Sequence, residues 1–274
     1  PGRLSIVGEL RVAIEQDQLF LQYQPKLNLA DGRVAGVEAL VRWRHPQRGI
    51  IPPDQFVPLA EQIGLIRPLT LWVLNEALRQ CSEWRSSGVE LCVAVNLSPR
   101  MLHDPHLVQT IALHLGRWDV DPTWLELEIT EGAFVADADR VLETLLRLHG
   151  MGVGISIDDF GTGYSSLAYL RRLPVDEIKI DKSFILDMAQ QEEETFIAQS
   201  VIDLGHNLGM QVVAEGVENA RILELLAGMG CDQAQGYHLS RPLPASDIAV
   251  WMRRLGRAMP ISGFYPLDGA PIAG

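Results

Sequence analysis

The chain has 274 residues, 47% hydrophobic and 21% charged, enough for two small domains or one large α/β barrel. Its 35 acidic residues against 23 basic ones give a net charge of −12, and no basic run offers a face for duplex nucleic acid or an anionic membrane. No apolar stretch reaches the ~18 residues of a membrane span, no signal peptide opens the chain, and three cysteines (Cys81, Cys92, Cys231) match no disulfide or metal spacing, so a cytoplasmic protein is expected.

Taken in order, Leu4, Val7, Leu10 and Ile14 recur at helical spacing. Leu19–Leu29 and Arg33–Trp43 read as strands joined by an Asp31-Gly32 hairpin. Helices are expected at Pro53–Gly64 and Pro68–Ser87, then a strand at Leu91–Leu97, a helix at His106–Trp118 and a strand at Leu125–Thr130. The alternation continues with helix Asp137–Gly150, strand Val153–Asp158, short helix Ser165–Arg172 and strand Glu177–Asp181. Helix Glu192–Leu208, strand Gln211–Glu215, helix Ala220–Met229, short strand Ala234–His238 and helix Ala245–Leu255 complete it. No low-complexity linker divides the chain, so one barrel domain is expected over 1–258 and a Pro/Gly-rich tail over 259–274. The opening Pro1-Gly2-Arg3, without an initiator methionine, points to a fragment of a longer protein.

Strands alternating with helices in about eight units predict a parallel sheet closed into an α/β, TIM-like (β/α)8 barrel. The hairpin modifies it, making one strand near the N-terminus antiparallel. An open doubly wound sheet is the alternative, but no G-x-G-x-x-G or P-loop motif accompanies it.

Side chains alternate between faces along a strand, so each strand's inward set can be read. Glu38, Leu40 and Arg42 share one face; Asn96, then Glu126, Glu128 and Thr130, then Ser156 and Asp158, then Lys179 and Asp181 follow; Glu215 ends one strand and Gln235 lies in the last. Carboxylates gathered this densely need cations, and the C-terminal mouth of such a barrel is where active sites lie. Glu38, Glu128, Asp158 and Asp159 with an amide form an all-oxygen ligand set suited to Mg²⁺ or Mn²⁺. Adjacent Asp158 and Asp159 suit two ions, the arrangement that stabilises attacking and leaving oxygens in phosphoryl displacement. Singly, each residue has a plainer reading: Glu126 as a cap or surface charge, Arg42 as a salt-bridge partner, Lys179 as a solvated strand end, Asp159–Gly163 as an ordinary turn. The seven histidines lack metal spacing and read as structural or exposed. Six or more aligned polar strand ends shift the balance to a site.

The segment Glu38-Ala39-Leu40-Val41-Arg42-Trp43 resembles the signature of EAL domains, phosphodiesterases of the bacterial second messenger cyclic di-GMP. Further motifs follow in that family's order: Asn96-Leu97-Ser98, Glu128-Ile129-Thr130-Glu131, Asp158-Asp159-Phe160-Gly161-Thr162-Gly163, Lys179-Ile180-Asp181, Glu215-Gly216-Val217-Glu218 and Gln235-Gly236-Tyr237. The resemblance implies two Mg²⁺ or Mn²⁺ ions, one held by Glu38, Asn96, Glu128 and Asp158, the other by Asp158 and Asp159. It implies that Lys179 orients the attacking water or steadies the phosphate, and that Glu215 acts as general base or through a metal-bound water. Gln24, Leu40, Arg42 and Gln235 would contact the nucleotide, Glu131 would anchor the loop after Asp159, and Asp181 and Glu218 would support the ligands from behind. The implied activity is hydrolysis of cyclic di-GMP to linear 5′-pGpG; the alternative is a catalytically silent cyclic di-GMP receptor, which typically lacks some of these ligands. A homodimer paired near this loop through Tyr164, Leu167, Tyr169 and Leu170 is expected, as are N-terminal sensory or diguanylate-cyclase modules.

Overall fold

The computed structural model describes residues 2–16, 18–134, 137–163, 167–186, 188 and 192–258. The tail expected over 259–274 and residues Tyr164, Ser165 and Ser166 of the loop lie outside the described residues. The strands are β1 (Leu19–Asn28), β2 (Val34–His45), β3 (Gly49–Ile51), β4 (Cys92–Asn96), β5 (Leu125–Thr130), β6 (Gly154–Phe160), β7 (Glu177–Ile180), β8 (Gln211–Ala214) and β9 (Gln233–Ala234). Eight close in the order β1-β2-β4-β5-β6-β7-β8-β9 and back to β1, while β3 hangs outside on β2. β1 is antiparallel to both neighbours, and the other barrel pairings are parallel. This is the expected modified (β/α)8 barrel.

Alternation builds the two layers. Val37, Ala39 and Trp43 of β2 are buried on the outer face, and Val93, Val95, Leu127, Ile155 and Ile157 continue that layer. Helices cover it with matching apolar stripes; in helix Ala138–His149, Val141, Leu145 and Leu148 recur every three or four residues. Asn219 caps helix Ala220–Gly228 by accepting from the Ile222 N–H. No helix among the described residues is long and apolar enough to cross a membrane.

The structure departs from the sequence reading at several elements. β2 runs on to His45, whose Nδ1 accepts from the Gln47 and Arg48 N–H groups and turns the chain back into the unexpected β3. β9 ends at Ala234 rather than His238, because the chain then hooks around Val217: Val217 N–H donates to Gln235 O and His238 N–H donates to Val217 O. The expected helix Ser165–Arg172 is described over Leu167–Leu170, and a further short helix, Lys182–Leu186, follows β7. Of the proposed pairing cluster, Leu170 is in the core and Tyr169 is half-buried, donating its hydroxyl to Ala138 O at 2.6 Å. Among the described members of that cluster, Leu167, 60% exposed, is the one presented to solvent as that expectation requires.

Inside the barrel lie two charged layers. At the end where the parallel strands begin, Lys26 of β1 lies 2.5 Å from Glu126 and 3.0 Å from Glu177, with Ser156 Oγ donating to Glu177. Glu126 is therefore an inward partner of a buried lysine, not the cap or surface charge expected. The second layer is at the opposite, C-terminal mouth.

Candidate active site

β1, β2, β4, β5, β6 and β7 each deliver one or more polar side chains to the mouth, joined by Glu215 just after β8 and Gln235 just after β9. Lys179 of β7 is fully buried, its Nζ 2.7 Å from Glu215, 3.0 Å from Glu128, 3.1 Å from Asp158 and 3.7 Å from Glu38. Asn96, paired directly with Glu128 in the β4–β5 ladder, donates from Nδ2 to Glu38 (2.7 Å) and Glu128 (3.1 Å). Gln235 Nε2 donates to Glu38 (2.6 Å) and to Gln24 Oε1 (3.2 Å), and Gln24 donates to Ser240 O. Eight of the residues singled out in the sequence thus form one connected network.

Asp159 joins them by an irregularity. Regular alternation sends neighbouring side chains to opposite faces. Between the pairs Ile157↔Ile178 and Phe160↔Ile180, β6 fits one residue more than β7, so Asp158 and Asp159 together oppose Lys179. Asp159 also takes a left-handed backbone, φ 53°. The result places carboxylate oxygens of Asp158, Asp159 and Glu215 within 4.8 Å of one another. Behind them, Asp181 hydrogen-bonds Asp159 and accepts from Ser183 N–H. Glu131 Oε2 accepts from the N–H groups of Gly161 (3.1 Å) and Gly163 (3.0 Å), which ties down the loop after Asp159.

The electrostatics are those of a centre short of positive charge. Burial, and then the neighbouring Glu38, push Glu128 well above the ordinary carboxylate range. Burial likewise pushes Glu215 to about 7, against the pull of Lys179, and Asp159 to about 6, with Asp158 adding to the rise. Lys179 stays protonated far above its usual range, because the surrounding carboxylates outweigh its own burial. Four carboxylates surround this one ammonium, and a fifth, that of Asp159, lies beside two of them. With Nδ2 of Asn96 committed, its Oδ1 is the atom left to coordinate. Such a set of hard oxygen donors in charge deficit fits divalent ions of the Mg²⁺ and Mn²⁺ type.

Two cavities flank the cluster. One, about 300 Å³, is lined by Gln24, Glu38, Asp158, Glu215, Gln235, Tyr237 and, on its rim, Glu218. The other, about 650 Å³ and mainly apolar, is lined by Leu40, Val57, Leu69, Val73, Asn96 and Asp159, with Asp54 and Glu61. Arg42 is half-buried, its Nε donating to Gln22 Oε1 (2.9 Å) and its Nη1 to Val41 O (3.0 Å). Sequence reasoning missed Gln22, which the β1–β2 register sets opposite Leu40 on the inward face, and the apolar cavity, whose lining comes from helices.

Residues 7–242 match the EAL domain family. The chain belongs to the EAL domain family. Among curated relatives of this EAL domain, it is 47% identical over 247 residues to the bifunctional diguanylate cyclase/cyclic di-GMP phosphodiesterase MucR of Pseudomonas aeruginosa, covering 90% of this chain and 36% of MucR. It is 46% identical over 269 residues to the cyclic di-GMP phosphodiesterase NbdA of the same organism, covering 98% of this chain and 33% of NbdA. The chain therefore spans about a third of the length of these relatives. Among solved structures, the P. aeruginosa MucR phosphodiesterase in complex with c-di-GMP superposes with a TM-score of 0.86 at 46% identity, over 89% of this chain and 99% of that one.

Proposed function

We propose that this EAL domain hydrolyses cyclic di-GMP to linear 5′-pGpG, with two Mg²⁺ or Mn²⁺ ions held at the barrel mouth. The observation that carries the reading is the cluster of five carboxylates, one amide and Lys179 gathered at the barrel mouth, with a residue of the expected type at each ligand position the family resemblance names. MucR and NbdA, named as cyclic di-GMP phosphodiesterases, support the substrate. Cavities on both sides of the cluster suit a ligand with two bases joined through phosphodiesters.

Glu38, Asn96, Glu128 and Asp158 would hold one ion, and Asp158 with Asp159 the other. Bound there, the ions supply Lewis acidity, lowering the pKa of water and offsetting charge on the phosphate. Glu215, whose carboxylate lies beside those of Asp158 and Asp159, would accept the proton of the attacking water. Lys179 orients that water or the phosphate while remaining charged. Water oxygen bonds to phosphorus, the P–O3′ bond breaks and O3′ takes up a proton from solvent, opening the ring. Arg42, pinned by Gln22, offers its remaining N–H groups to a phosphate oxygen, while Gln24, Leu40 and Gln235 position the nucleotide. A homodimer and N-terminal sensory or cyclase modules belong to the same proposal, and MucR joins both activities in one name.

The test is incubation with cyclic di-GMP and Mg²⁺ or Mn²⁺, products separated by chromatography. Appearance of pGpG, abolished by chelator, is expected. Tight binding without turnover would instead favour the silent receptor, a reading that the intact donor set speaks against.

A further inference from the structure

The loop Asp159–Gly163 carries two glycines, and each faces a different side chain. A methyl group on Gly163 would lie 3.0 Å from Glu131 Cδ and Oε2, so this glycine lets the carboxylate reach the backbone. A methyl group on Gly161 would lie 2.9 Å from Phe184 Cε2 and 3.3 Å from Cζ, so the bare Cα is where the aromatic ring packs. Glu131 follows β5 and Phe184 follows β7, the two strands on either side of β6. The loop is thus clasped from both sides: by hydrogen bonds from one, by an apolar ring from the other.

Phe184 is itself well fixed. It lies in the short helix Lys182–Leu186, packs against the main core, and its N–H donates to Asp181 O at 3.1 Å. Asp181 in turn accepts from Ser183 N–H and hydrogen-bonds Asp159. What it holds needs holding. Asp159 and Gly161 both have positive φ, 53° and 99°, and a non-glycine residue there costs energy that surrounding contacts must overcome.

We propose that Phe184 is a positioning residue for the metal centre. Its ring, seated on Gly161, fixes the backbone of Asp159 and hence the place of that carboxylate beside Asp158 and Glu215. This rests on the two-ion reading of the site above. Phe184 lines neither cavity, and its effect falls mainly on the ion that Asp159 would hold, because three of the other ion's four ligands, Glu38, Asn96 and Glu128, stand on other strands.

Mn²⁺ titration of the purified protein, followed by electron paramagnetic resonance and calorimetry without nucleotide, tests this. The wild type is expected to bind two ions. Phe184→Ala should weaken one site by about tenfold or more, the usual effect of removing a group that orients a ligand, and leave the other unchanged; Phe184→Leu should restore most of the loss. Ile185→Ala, at the adjacent and fully buried side chain, should lower the melting temperature while both Mn²⁺ affinities stay as in wild type. Unchanged Mn²⁺ binding in Phe184→Ala, or a loss at both sites that Ile185→Ala reproduces, would overturn the role of Phe184 alone. A wild type that binds no Mn²⁺ would overturn the two-ion reading and this inference with it.

Discussion

Replacing Lys179 with methionine tests the charge balance of the site directly. The substitution keeps most of the side-chain volume and deletes an ammonium that is fully buried among four carboxylates at 2.7–3.7 Å. Removing one partner from a buried ion pair costs roughly 3–5 kcal/mol. For a chain of this size, at about 2–4 °C per kcal/mol, the melting temperature should fall by roughly 6–20 °C. The pH dependence carries the diagnosis. Glu215 and Asp159, raised to about 7 and about 6, bind protons in the folded state that the unfolded chain has released. Such groups contribute stability that is present at low pH and lost as pH rises through those values. Metal-free wild type should therefore melt lower at pH 8 than at pH 5.5, and Lys179→Met should steepen that fall, its penalty being smallest where carboxylates can protonate. Saturating Mn²⁺ should restore much of the melting temperature at pH 8 but not the hydrolysis. The assay is differential scanning calorimetry at both pH values, in chelator and in Mn²⁺, beside initial rates. A loss equal at both pH values and indifferent to Mn²⁺ would refute the claim that Lys179 balances this cluster.

Asp158→Asn, which removes charge at the position proposed to be shared by two ions, should abolish turnover with Mg²⁺ and weaken Mn²⁺ binding in calorimetry; near wild-type rates would contradict the shared-ligand assignment. Arg42→Ala should raise the dissociation constant for cyclic di-GMP about 10- to 150-fold, the equivalent of a charged hydrogen bond worth ~1.5–3 kcal/mol, with a smaller change in the rate at saturation. Glu131→Ala frees the N–H groups of Gly161 and Gly163 and should raise the Mg²⁺ concentration needed for half-maximal activity, measured by titration. Lys26→Met should cost roughly 3–5 kcal/mol of stability at pH 8 by stranding Glu126 and Glu177, while the rate of the surviving folded protein stays at the wild-type value.

Most of the site was legible because a strand has period two. Once Val37, Ala39 and Val41 are assigned to the outer layer, Glu38, Leu40 and Arg42 have nowhere to point but inward, and the same step places Asn96, Glu128, Asp158 and Lys179. What alternation hides is where a strand breaks its own rule. Asp159 should face the helices; one extra residue in β6 turns it to the mouth, and bulges leave no composition signal. Phe184 was invisible for a related reason, since its partner is a glycine that offers no side chain to pair with.

Depth in the barrel was the other hidden coordinate. Alternation says which residues point in, not at which level, and level depends on strand direction and register. β1 runs against the rest, so its later residues descend while those of β2 climb: Gln24 pairs with Glu38 near the mouth, and Lys26 pairs with Gly36 one layer below. Glu126 precedes Glu128 by two residues on β5 and drops by the same step, and Glu177 precedes Lys179 by two on β7. Lys26, Glu126 and Glu177 therefore meet as a separate charged layer beneath the one at the mouth. An inward carboxylate two residues before a ligand is then neither a surface charge nor a spare ligand. It is a partner of the one cation that the reversed strand carries to that depth, where a single buried ammonium meets two carboxylates and so has none of its charge to spare for the mouth above.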